Sequence, residues 1–154
     1  MYEVAERLKL ENPKFQDLVI AIGKFIHQHA KSVPNQRQPK SIIESRFTPA
    51  EEAFRVGMLS CGSISNISAA MLRHLGFKVK LVHGESKESV DHAWISVLNP
   101  ENNEWKEYDL SRADGSIPNT HVKKGEVESW EEIRDQITKD HETLRKRRKE
   151  RTEK

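Results

Sequence analysis

The sequence predicts an α+β fold in which a helix bearing a single cysteine packs on a small antiparallel β-sheet, and three observations predict it. Ile64, Ile67, Ala70, Met71 and Leu75 recur at helical spacing behind Cys61 and stop at Gly76. Phe77, Val79 and Leu81 then alternate with Lys78 and Lys80, the period of a half-exposed strand. Two extended runs, residues 92–98 and 105–110, flank Asn99-Pro100-Glu101-Asn102, which is a hairpin pattern.

Ahead of these elements, Phe15, Leu18, Val19, Ile22, Phe25, Ile26 and Ala30 follow Asn12-Pro13 and predict an amphipathic core helix over residues 13–31. Residues 33–47, polar and interrupted by Pro34 and Pro39, read as a loop bordering a cleft. Thr48-Pro49-Ala50-Glu51 has the form of a capping box with proline at the first helical position, so a short helix is expected to residue 56. The cysteine helix follows over residues 61–75, and Gly76 supplies the left-handed residue that ends it. Residues 84–90 read as a polar connection and residues 111–125 as a long loop. Ser129-Trp130-Glu131-Glu132 is a second capping box, opening a helix with Ile133 and Ile137 on its apolar side.

A chain of 154 residues accommodates one domain with a real core, expected over residues 1–138, followed by a basic C-terminal helix or tail over residues 139–154. That tail holds eight Lys or Arg against four Asp or Glu, so the remainder of this +2 chain is formally −2 and is not a basic body. Arg145, Lys146, Arg147, Arg148 and Lys149 offer at most a weak polyanion contact, because no aromatics are interleaved and Glu142, Glu150 and Glu153 dilute the charge. Nucleic acid is not the expected partner, and a solvated helix end is. The N-terminus lacks a basic start and apolar middle, and the longest apolar stretch is broken by Lys24, so neither a signal peptide nor a membrane span is indicated. One cysteine excludes an internal disulfide and multi-cysteine zinc sites, and a reducing cytoplasm is the expected setting.

The chemistry-bearing residues are Cys61, His92 31 positions on, and Asp109 17 positions further. In that order they are a thiol nucleophile, its base and the group that orients the base. Cys61 sits at a helix start, where partial positive charge favours a thiolate. A four-residue turn over 99–102 sets Ser96 opposite Trp105, Trp94 opposite Glu107 and His92 opposite Asp109, whereas an odd-numbered loop turns Asp109 to the other face. Trp94 and Trp105 share the face of His92 in this register and are candidate substrate-binding platforms, with core packing as the alternative reading. His83 and His92 lack a Cys or Glu at ligand spacing, so no metal is predicted.

Residues 48–111 resemble the transglutaminase-like superfamily. The resemblance rests on Cys61 at its helix start, Leu75-Gly76-Phe77 leading into residues 78–84, His92-Ala93-Trp94, and the Trp105-x-x-x-Asp109 strand. It implies a papain-like core with Cys61 as nucleophile, His92 as general base and acid, and Asp109 as its orienting partner. The backbone NH of Cys61 supplies one oxyanion donor, and no side chain upstream of it stands out as a second. The implied function is that of a thiol enzyme forming a Cys thioester from a carboxamide, peptide or ester, with no cofactor, and with hydrolysis favoured over crosslinking. Peptide N-glycanases share a similar core but carry zinc-binding cysteine pairs absent here. The alternative is a catalytically silent domain of the same fold that binds a protein or polyanionic partner.

Overall fold

The computed structural model describes residues 1–87 and 89–152. Along them the chain forms α1 (Tyr2–Glu11), α2 (Phe15–Ser32), α3 (Ile42–Phe47), α4 (Ala50–Arg55), α5 (Cys61–His74), β1 (Val79–Glu85), β2 (His92–Asn99), β3 (Glu104–Tyr108), β4 (Val122–Val127), a 3-10 turn (Trp130–Ile133) and α6 (Arg134–Thr152). The strands make one antiparallel sheet in the order β3-β2-β1-β4, so the fold class is the expected α+β. Among the described residues no helix is long and apolar enough to cross a membrane.

α5 begins at the cysteine because Ser60 and Ser63 cap each other. The Ser63 amide donates to Ser60 Oγ at 3.2 Å and the Ser60 amide to Ser63 Oγ at 2.8 Å, which satisfies donors a helix start leaves open. The helix ends at Leu75, and Gly76 takes φ +92°, a conformation open mainly to glycine. Between these ends Ile64, Ile67, Met71 and Leu72 meet Leu81, Ala93, Ile95 and Val97 of the sheet and Leu18, Val19 and Ile22 of α2, all buried. Each such side chain contributes about 1.5–3 kcal/mol on burial. The sulfur therefore rides on the most deeply packed helix.

Three segments depart from expectation, each for a local reason. Residues 33–47 are not all loop: Ser41 Oγ accepts the Glu44 amide at 3.1 Å and starts α3. Thr48 does not cap α4, because its hydroxyl instead donates to the Glu44 carbonyl at 2.6 Å and closes α3, leaving Pro49 as the N-cap of α4. Residues 111–125 end in β4, which carries two lysines and a glutamate rather than an apolar alternation and pairs with β1 across a bulge near Gly84. α1, unforeseen, buries Ala5 and Leu8 alone, too few to show a period.

The hairpin turn lies one residue later than expected, over residues 100–103. Asn99 Oδ1 accepts the Glu101 amide at 2.9 Å, Asn102 Oδ1 accepts the Glu104 amide at 3.0 Å, and Asn103 takes φ +58°. Asn99 thus pairs with Glu104 and Ile95 with Tyr108, which corrects the pairing of His92 with Asp109 by two residues. The loop still has an even count. Asp109 keeps the face of His92, one diagonal step away, within reach of a long side chain.

Candidate active site

At the start of β2, His92 Nε2 hydrogen-bonds Asp109 Oδ2 at 2.8 Å, which leaves Nδ1 as the ring nitrogen for the side-chain hydrogen bond His92 makes with Cys61. The structure thus brings together all three residues singled out in the sequence. Burial by itself raises the Cys61 thiol, but the Arg46 charge, then the hydrogen bond and charge of His92 and a backbone contact from Ala93, outweigh it and lower the thiol to about 7. For His92, burial favours the neutral ring, yet the bonds to Asp109 and Cys61 raise it to about 9. The two shifts are coupled and both favour a thiolate beside an imidazolium.

Asp109 is 2% exposed and is saturated with donors. Oδ2 receives Nε2 of both His92 and His121, each at 2.8 Å, while Oδ1 accepts the Ser111 amide at 3.1 Å and the Ser111 hydroxyl. Burial opposes ionisation, but these bonds prevail and lower the carboxyl to about 2. His121 fell in the segment read as loop. Its ring lies edge-on to His92 with centroids 5.0 Å apart, fixing the imidazole from a second side. One ligand atom from each of His92, Asp109 and His121 lies within 4.8 Å of the others, a spacing at which a divalent ion could be held, though hydrogen bonds already join them.

The larger omission is Arg46. Its guanidinium, buried on α3, donates to Cys61 Sγ at 3.4 Å and to Ser45 Oγ at 3.3 Å through Nη1, and to Asp91 Oδ1 at 2.8 Å through Nη2. Trp130 backs it, with the guanidinium carbon 5.3 Å from the ring centre. Gly62 permits the approach, since a Cβ there would lie 2.6 Å from Arg46 Nη1 and from the Ser45 carbonyl. Arg46 is a buried cation against the sulfur that no sequence pattern revealed. Arg46 Nε and Asp91 Oδ2 are buried without a hydrogen-bond partner among the described residues. Burial and the nearby Asp140 carboxyl push Asp91 up against the pull of Arg46.

In front of Cys61 lies a cavity of about 290 Å³, walled by residues 39–42, Ser45 and Arg46, by Ser89 and Asp91, and by His141, Leu144, Arg145 and Arg148 of α6. α6 runs unbroken across residues 138 and 139: Ile137, His141 and Leu144 mark an inward stripe at helical spacing over its first half, while residues 145–152 are exposed, the solvated helix end expected from the sequence. Trp94 is 2% exposed, donates Nε1 to Glu107 at 2.6 Å, and lies with its centroid 5.8 Å from that of His92. Trp105 pairs with Leu98 near the turn, 42% exposed, with Lys80 over its ring. Neither indole lines the Cys61 cavity. His83 neighbours Gly84, which pairs with His92, so the two histidines take opposite faces of the sheet.

The family model of the transglutaminase-like superfamily matches residues 2–110, and the chain belongs to that superfamily. Two solved structures share the fold. One, from Cytophaga hutchinsonii and described as a candidate cysteine protease, is 16% identical with a TM-score of 0.58, over 84% of this chain and 43% of that one. The other, described as a TGase, is 19% identical with a TM-score of 0.54, over 80% of this chain and 32% of that one. The aligned region thus spans less than half the length of either structure. No curated protein matches the sequence.

Proposed function

We propose that this protein is a thiol enzyme that opens a carboxamide, peptide or ester through an acyl-Cys61 intermediate, and that it hydrolyses rather than crosslinks. The observation that carries this is the joint placement of Cys61 between the His92–Asp109 pair and the Arg46 guanidinium. In the first half-reaction the Cys61 thiolate adds to the carbonyl carbon. The oxyanion that develops meets the Cys61 backbone NH and Arg46, and the imidazolium Nδ1 of His92 gives its proton to the leaving amine or alcohol as the C–N or C–O bond breaks. In the second, His92 takes a proton from water, the hydroxide adds to the thioester, and the C–S bond breaks to release the acid and restore the thiolate.

Asp109 holds the imidazole with Nε2 protonated and Nδ1 toward sulfur. Hydrolysis is preferred because α6 closes one side of the cavity, which leaves room for water more readily than for a second polypeptide amine. The test is incubation with an activated ester or a glutamine-containing peptide, followed by intact mass and peptide mapping. A transient acyl adduct on Cys61, absent in Cys61→Ala, is expected. If no adduct forms under single-turnover conditions while the chain is folded, the silent interaction module replaces this reading.

A further inference from the structure

We propose that the cavity in front of Cys61 recognises its acyl donor through a carboxylate, gripped by Arg145 and Arg148 of α6 with Lys40 facing them, so that the substrates are anionic acyl compounds such as acidic peptides. This deepens the thiol-enzyme reading and rests on it for the reaction. Of the cavity's lining residues, Lys40, Arg46, Arg145 and Arg148 are cationic and only Asp91 is anionic, with the Asp140 carboxyl of α6 behind it. Asp91 is already occupied with Arg46 at 2.8 Å, the pair being 6% and 1% exposed. Among the described residues, Lys40, Arg145 and Arg148 make no ion pair, although eight other Lys or Arg side chains of the fold do. The three exposed cations and the buried Arg46 Nε, which has no hydrogen-bond partner among the described residues, outnumber the one buried unpartnered carboxylate oxygen, Asp91 Oδ2, and make the cavity complementary to an anion.

Spacing supports the grip. Arg145 and Arg148 stand at i and i+3 on one helix face, which puts two planar forks side by side. All four basic residues of the run 145–148 are exposed, but Lys146 and Arg147 do not line the cavity, so only Arg145 and Arg148 border its mouth.

The test compares alkylation of Cys61 by iodoacetate, which is anionic, with alkylation by neutral iodoacetamide, at pH 8 and low salt. The ratio of the two rates in the folded chain is expected to exceed that in the urea-unfolded chain by about two- to fivefold, and to shrink toward it in 0.5 M salt. Arg145→Gln with Arg148→Gln should bring the ratio to the unfolded value, while Lys146→Gln with Arg147→Gln should leave it high. A folded ratio equal to the unfolded one overturns the proposal. So does an equal fall in both double variants, which marks a diffuse basic surface suited to a polyanion instead. If neither reagent modifies folded Cys61, the thiol-enzyme reading fails first, and a second measurement decides the cavity by itself: thermal melting of Cys61→Ala in glutarate against glutaramide. A rise with glutarate alone, lost in Arg145→Gln with Arg148→Gln, supports the carboxylate grip, and no difference between the two additives overturns it.

Discussion

On the hairpin side of Cys61, Asp109 takes four hydrogen bonds and hands His92 a fixed orientation. On the helical side, among the described residues, Arg46 leaves Nε unpaired, Asp91 leaves Oδ2 unpaired, and Arg145 and Arg148 make no ion pair. On the first wall Asp109 is saturated, although His121 Nδ1 is buried without a hydrogen-bond partner among the described residues, and the wall acts through geometry, so salt and single surface changes should touch it little. The second acts through potential: it lowers the thiol and biases which acyl group enters, and it should respond to screening and to any change of charge. Separating orientation from potential in this way gives each wall its own set of variants.

Removing the sulfur tests both walls at once and carries the largest effect. Cys61→Ala should abolish acyl-enzyme formation while melting within about 1 kcal/mol of wild type, because the sulfur is only partly buried at a helix start. Asp109→Asn attacks the hairpin wall. It favours the wrong imidazole tautomer and loosens His121, so single-turnover acylation should slow on the order of 10²- to 10⁴-fold. If Asp109→Asn acylates at the wild-type rate, orientation is not what this wall supplies.

Arg46→Met attacks the helical wall and should act differently. The thiol should rise toward the ordinary value of about 8.5, and the fold should lose about 3–5 kcal/mol because Asp91 is left buried without its cation. Pairing it with Asp91→Leu should recover much of that stability without recovering the low thiol, as followed by denaturant melts and alkylation rates. Recovery of both would show that Arg46 acts only as packing. The smallest effect is expected from truncation after Thr138, which removes the half-buried His141 and Leu144 and should cost about 1 kcal/mol, a few degrees in melting temperature. Arg46 and His92, which lower the thiol, remain in place, so the thiol should stay near 7.

The two walls also differ in how far they could be read from the sequence. Hairpin alternation and turn chemistry are local, so His92 and Asp109 were placed on one face even though Asn99 and Asn102 shift the turn by a residue and the pairing by two. The Ser60 start and Gly76 stop of the cysteine helix are local signals of the same kind. Arg46 and α6 carry no such pattern. Arg46 is a single basic residue in a six-residue helix whose cap, Ser41, stands in a polar stretch, and its burial depends on Gly62, Asp91 and Trp130 converging from distant positions. α6 buries only Ile137 fully, so its inward stripe is hidden among charges until the cavity is seen. His121 likewise shows its role only through Asp109.

The most direct measurement is the rate of Cys61 alkylation by iodoacetamide in the folded wild-type chain across pH 5 to 10. Because only the thiolate reacts, and because Arg46 and His92 hold the thiol below its usual value, the rate should rise through an apparent pKa of about 7 and level off above it. In single-turnover acylation with an amide the same rise should be followed by a fall near 9, where His92 gives up the proton its leaving group needs. A titration at 8.5 or above, or a thiol that reacts only after unfolding, would contradict an activated Cys61.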